Sequence, residues 1–180
     1  ARKVAPALAA GCPVILRPAR QTPLCALALA RAAEAAGLPA GVLQVLTGPA
    51  EPIVEELLDN PLCRKITFTG STEVGRWLLA RSAGRDADRQ ASGGTLTRLS
   101  LELGGHAPVL VFEDADLEQA VEGAIITKFR NTGQSCIAAN RILVQRPLYE
   151  RFLERFVARA RALKVGYGLE PGVDIGPLVN

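Results

Sequence analysis

Short apolar runs alternate with stretches of helical periodicity along most of the chain. PVILRP (13–18), GVLQVLTG (41–48) and KITFTG (65–70) read as strands. Helical stretches follow each of them: PLCALALARAAEAAG (23–37), closed by a glycine, then roughly 50–59, then STEVGRWLLARSA from residue 71. Ser71 is a natural N-cap for the last, and Glu73 suits the positive end of its dipole. RKVAPALAAG, at the start, is also helical in pattern. Strands this apolar, repeating with helices, predict an α/β fold with a parallel sheet covered on both faces.

The pattern then changes. GRDADRQASGGTLTR (84–98) is polar and bears glycines, and predicts an exposed loop with mobile parts. Beyond it, LSLELGG (99–105) and APVLVFEDAD (107–116) are strand-like, and a helix is expected from about Leu117 to Lys128. RILVQ (141–145) reads as a strand and 147–163 as an amphipathic helix. Gly104-Gly105 is a natural hinge, dividing a first domain over 1–104 from a second over 105–180. There are no internal repeats.

Composition narrows the choice of function. The 180 residues, 48% of them hydrophobic, suffice for one ordinary core or two small ones. The net charge of +3 is spread out, and Arg151, Arg155, Arg159 and Arg161 alternate with Glu150 and Glu154 as a solvated helix face does. No nucleic-acid partner is expected. No apolar run approaches the roughly 18 residues of a membrane span, so no membrane partner is expected either. Cys12, Cys25, Cys63 and Cys136 form no CxxC pair, and His106 is the single histidine. This favours free thiols in a reducing, cytoplasmic setting and no metal site. With no methionine, and with both ends inside continuing patterns, the sequence reads as an internal piece of a longer chain.

Three segments carry chemistry. In FTGSTEVG (68–75) an apolar strand ends in Thr-Gly-Ser and a helix begins at once. The free N–H groups of that first turn could hold a phosphate, although an ordinary capped turn has the same sequence. LELGG places Glu102 between two leucines. An apolar surrounding would disfavour its charged form and suit a general base, whereas a half-buried strand would simply point it at solvent. In FRNTGQSC (129–136) a polar, glycine-containing turn precedes Cys136. Such a turn exposes backbone N–H groups and a thiol, as a nucleophile needs, while Cys12 and Cys25 fit small apolar filler better.

Taken together, GCPVILRPARQTP, FTGSTEVGR, LELGG followed by AP, GQSC and GPLVN resemble the aldehyde dehydrogenase superfamily, in its order and over essentially the whole chain. The spacing from Glu102 to Cys136 also fits. The resemblance implies a Rossmann-like parallel sheet of a cofactor domain joined to part of an α/β catalytic domain. It implies that Cys136 attacks an aldehyde to give a thiohemiacetal, that hydride leaves to NAD or NADP, and that Glu102 activates the water that hydrolyses the thioester. The Cys136 N–H would be one oxyanion donor; the family's other, an asparagine, lies upstream of residue 1. Arg17, Arg20, Phe68, Gly70, Ser71 and Leu103 would bind the cofactor.

Within the family, RKVAPALAAGC and KFRNTGQSC are similar to the succinate-semialdehyde dehydrogenases. Arg130 and Arg2 then stand at substrate-facing positions, where guanidinium groups would grip a carboxylate tail. Glutarate semialdehyde, one methylene longer, differs by only about 1–3 kcal/mol in such a site and stays open. Arg17 replaces a usual lysine and Arg20 an often acidic or small polar residue, which favours NADP over NAD. Val54 stands where many relatives have a glycine near the adenine, and Ala138 stands where some carry a second cysteine. The 84–98 segment is longer than the family pattern. The implied partner is a small-molecule aldehyde, the implied full-length protein a homodimer or homotetramer, and the isolated 180-residue piece is expected to be inactive. Two other classes remain: a thiol hydrolase pairing Cys136 with His106, and a non-catalytic piece.

Overall fold

The computed structural model describes residues 2–91 and 97–179, the side chains of 84–91 excepted. In chain order the elements are α1 (Val4–Ala9), β1 (Val14–Leu16), α2 (Leu24–Ala35), β2 (Leu43–Val45), α3 (Ala50–Asp59), β3 (Lys65–Gly70) and α4 (Thr72–Ala91). Then come β4 (Arg98–Leu103), β5 (Val109–Val111), α5 (Leu117–Phe129), a 3-10 turn (Arg130–Gly133), β6 (Ile142–Val144) and α6 (Arg146–Arg161). They fall into two compact units, Ala1–Thr69 with Glu73–Glu102, and Gly70–Thr72 with Leu103–Asn180.

In the first unit β1 and β2 run parallel, Ile15 opposite Gln44, and β3 pairs with β4. The strands are short, and hydrophobic contact with the helices does the holding. Val4 of α1, Leu58 of α3 and Leu78 of α4 are buried. Arg81 of α4 donates to both carboxylate oxygens of Glu55 on α3, at 2.8 and 2.9 Å. Both contacts come from Nη2 alone, so the pair ties α4 to α3 by charge at one nitrogen and not by the two-nitrogen fork of a directional Arg–carboxylate pair.

In the second unit β5 and β6 run parallel, Leu110 opposite Leu143. The Asp116 side chain caps α5 by accepting from the Gln119 N–H at 2.9 Å. One face of α5 then packs on α6, burying Val121, Ala124 and Ile125 with Val111, Leu148 and Phe152. Phe129 at the end of α5 and Phe152 both stack on Phe156, with ring centroids 6.4 and 5.8 Å away. The end of α5, from which the Cys136 segment departs, is therefore rooted in the core of this unit.

Two expectations need correction. Among the described residues the apolar strands are covered on one face only: Ile15, Leu110 and Leu143 alternate with half-buried or buried neighbours and are themselves exposed. A strand's side chains point to opposite faces, and among the described residues helices cover one of them. The polar stretch from residue 84 continues α4 as far as Ala91 instead of forming a loop. It contains good helix formers such as Ala, Arg and Gln and no proline, so its polarity does not by itself end the helix. Residues 92–96 lie outside the described residues.

Candidate active site

The Cys136 segment begins with an unusual piece of backbone. After α5, Asn131 and Thr132 adopt φ of 53° and 61°, and Gly133 follows at 73°. Left-handed backbone costs an L-residue about 1–2 kcal/mol, and a β-branched threonine tolerates it least. Compensating bonds surround the turn. The Gln134 N–H donates to the Asn131 carbonyl at 3.1 Å, and Gln134 Oε1 accepts the Val179 N–H at 3.0 Å.

The chain then turns again. The Ser135 carbonyl accepts the Ala138 N–H at 3.1 Å, and Ser135 Oγ accepts the Ile137 N–H at 3.4 Å. Cys136 and Ile137 occupy the corners of this turn and are exposed, whereas Ala138 and Ala139 just after them are buried. Among the described residues neither the thiol nor the N–H of Cys136 makes a hydrogen bond. The segment thus presents an accessible sulfur beside an unpartnered backbone donor, which is the pair of groups that acyl chemistry at a thiol requires.

Asn140 closes the segment. Its N–H donates to the His106 carbonyl at 2.9 Å, its Nδ2 to the Gly105 carbonyl at 3.3 Å, and its Oδ1 accepts from Lys128 Nζ at 3.1 Å. His106 is engaged through its carbonyl, and its imidazole makes no hydrogen bond to Cys136. The contact that a Cys136–His106 hydrolase needs is absent among the described residues.

Glu102 lies on β4, where Leu101 and Leu103 are half-buried and Glu102 is exposed. The described residues therefore give its carboxyl no apolar surrounding. Its electrostatic neighbour is Lys3: partial burial lowers the Lys3 pKa, and the Glu102 charge pulls it part of the way back up. Spacing gave no hint of Lys3, Gln134 or Asn140, because their roles depend on contacts distant in sequence.

The remaining expected positions sit as follows. Arg17, half-buried at the end of β1, donates through Nη2 to the Gly48 carbonyl at 3.2 Å, while its Nε is buried without a partner. Arg20 is exposed in the turn before α2. Phe68 is half-buried on β3, Gly70 ends that strand, and Ser71 directly precedes α4. Leu103 is half-buried at the end of β4. Arg2 and Arg130 are exposed; the Arg130 N–H closes α5 on the Ile126 carbonyl, and among the described residues neither guanidinium makes a hydrogen bond or ion pair. Cys12 and Cys25 are exposed, contrary to the expectation of apolar filler; their segments lie on the surface of the unit. Among the described residues no group of three or more His, Cys, Asp or Glu could hold a metal ion, and no helix is long and apolar enough to cross a membrane.

The pattern of the aldehyde dehydrogenase family matches residues 1–180. The chain belongs to that family. It is 54% identical over 179 residues to a Pseudomonas putida protein named 3-sulfolactaldehyde dehydrogenase, covering 99% of this chain and 35% of that one. It is 52% identical, with the same coverage, to succinate-semialdehyde dehydrogenase (NADP(+)) of Escherichia coli strain K12. The crystal structure of an aldehyde dehydrogenase from Brucella melitensis biovar abortus 2308 superposes with a TM-score of 0.91 at 56% identity, over 99% of this chain and 35% of that one. The chain thus spans about a third of the length of the aldehyde dehydrogenases it matches, and its α/β fold is theirs.

Proposed function

We propose that the full-length protein oxidises an aldehyde with an anionic tail, foremost succinate semialdehyde, to the carboxylic acid, using NADP in preference to NAD. The observation that carries this is the exposed Cys136 with its unpartnered N–H, in a chain of the aldehyde dehydrogenase family. Deprotonated, the Cys136 sulfur adds to the aldehyde carbon; a C–S bond forms and the carbonyl electron pair moves to oxygen. The Cys136 N–H donates to that oxyanion. The dinucleotide, when bound, supplies the hydride acceptor that leaves a thioester on Cys136. Glu102 then takes a proton from the water that attacks the thioester, releasing the acid and the thiolate.

The cofactor assignment fits the chain's own groups. The buried, unpartnered Nε of Arg17 marks a donor in want of an acceptor, and Arg20 adds an exposed cation nearby in sequence. Two guanidinium groups suit a 2′-phosphate better than a free ribose hydroxyl. Residues 1–104 would form part of the cofactor domain and 105–180 part of the thiol domain of a cytoplasmic homo-oligomer.

Arg130 and Arg2, both exposed and unpaired, would hold the anionic tail. A 3-sulfolactaldehyde carries a sulfonate and succinate semialdehyde a carboxylate, and both suit the same clamp. A sulfonated aldehyde is therefore the second reading, and glutarate semialdehyde the third. In steady-state assays of the full-length enzyme, Arg130→Ala should raise KM for succinate semialdehyde by roughly 10- to 100-fold, the worth of a charged hydrogen bond, and leave butanal unaffected. Arg20→Glu should move preference from NADP towards NAD. Equal loss on both aldehydes would defeat the clamp, and preference of the unaltered enzyme for NAD would defeat the cofactor assignment.

A further inference from the structure

The segment from Gln134 to Asn140 is held by a side-chain amide at each end, and the second of these has a charged anchor. We propose that Asn140, held by Lys128, is a positioning residue for Cys136, an inference that rests on the nucleophilic role given to Cys136 above.

Asn140 saturates three bonding directions at once. Its backbone N–H reaches the His106 carbonyl at 2.9 Å and its Nδ2 the Gly105 carbonyl at 3.3 Å, so one residue pins the segment to the strand-connecting chain before β5. Its Oδ1 takes the remaining contact, from Lys128 Nζ at 3.1 Å. Lys128 stands in the last turn of α5, three residues before the left-handed backbone at Asn131, where a cation also complements the helix dipole. The ammonium therefore links the helix from which the segment departs to the residue at which it ends. Between these anchors lies a strained turn and an exposed thiol that makes no hydrogen bond of its own. Nothing about Cys136 itself fixes where its sulfur and N–H point, so the fixing falls to the ends of the segment. An amide is suited to the task because it offers an acceptor to the lysine and a donor to the carbonyl in one plane. A charge-assisted bond holds geometry better than a neutral one.

The test uses the full-length enzyme with Asn140→Ala, Lys128→Met, the double variant, and Asn140→Asp, which keeps an acceptor for the ammonium. Asn140→Ala should lower kcat for succinate semialdehyde about tenfold with KM within about twofold. The rate at which iodoacetamide alkylates Cys136, read by peptide mass spectrometry, should change in parallel. Lys128→Met should show a smaller loss that adds nothing in the double variant, and Asn140→Asp, which keeps the acceptor for Lys128 and loses the donor to Gly105, should restore part of kcat. Additive losses, or an Asn140→Ala enzyme with unchanged kcat and alkylation, would overturn the proposal. So would a loss accompanied by an equal fall in thermal stability and not recovered by Asn140→Asp. If the unaltered enzyme oxidises no aldehyde, the function proposed above fails, and the alkylation rates still decide whether Asn140 positions the thiol.

Discussion

Replacing Gly133 by alanine probes how closely the backbone before Cys136 is specified. At φ of +73° an added Cβ meets the usual left-handed penalty of about 1–2 kcal/mol. The stiffer unfolded chain returns about 0.4–1 kcal/mol of this. The Cβ would also lie 3.1 Å from the carbonyl oxygen of Lys128, tighter than ordinary contact, and that oxygen belongs to the last turn of α5. A helix carbonyl cannot swing aside as a side chain can, so the turn must shift by a few tenths of an ångström. Cys136 lies three residues further on and moves with it. Because a displacement of about 1 Å can cost a hundredfold in rate, the expected loss of kcat is on the order of tenfold. Gly172→Ala is the internal control, since Gly172 has nearly the same φ, +76°, in the same unit, but nothing within 4 Å of the added Cβ. Both full-length variants should lose similar stability from the dihedral, and only Gly133→Ala should lose kcat and alter the alkylation rate of Cys136. Equal kcat for the two variants would refute the reasoning.

Other predictions follow from the core and from Lys3. Phe152→Ala removes a buried ring that stacks on Phe156, and should destabilise the α5–α6 layer by about 3–5 kcal/mol, seen as faster hydrogen exchange in both helices. Exchange unchanged from that of the exposed-site variant Leu153→Ala would contradict the core assignment. Glu102 raises the Lys3 pKa against the larger lowering by burial. Glu102→Gln should therefore lower it further, and carbon-13 NMR of reductively methylated protein should show the Lys3 signal titrating at lower pH than before. A Lys3 titration that stays put would mean that the carboxylate does not act on it.

The sequence carried most of the element order because each helix and strand there is locally self-consistent. Periodicity located α2, α3 and α5 almost to the residue, and the Thr-Gly-Ser turn marked where β3 gives way to α4. Polarity misled at residues 84–91, since polar helix formers occur in helices as readily as in loops. The apolar strands were equally ambiguous about their second face, because hydrophobicity shows what a strand could bury and not what is there to bury it. The exposure of Cys136 was legible in its polar neighbours. The left-handed turn was only half legible: Gly133 announces such backbone, whereas Thr132 does not. Lys3 beside Glu102, Lys128 on Asn140 and Gln134 on Val179 join residues far apart in the chain, and one sequence holds no trace of such pairs.

The central claim is that Cys136 carries the acyl group. The most direct measurement is rapid acid quenching of full-length enzyme during turnover of succinate semialdehyde with NADP, followed by peptide mass spectrometry. A succinyl adduct should appear on the peptide that contains Cys136, and both the adduct and NADPH formation should vanish in Cys136→Ala. Sustained NADPH formation by Cys136→Ala would contradict the account.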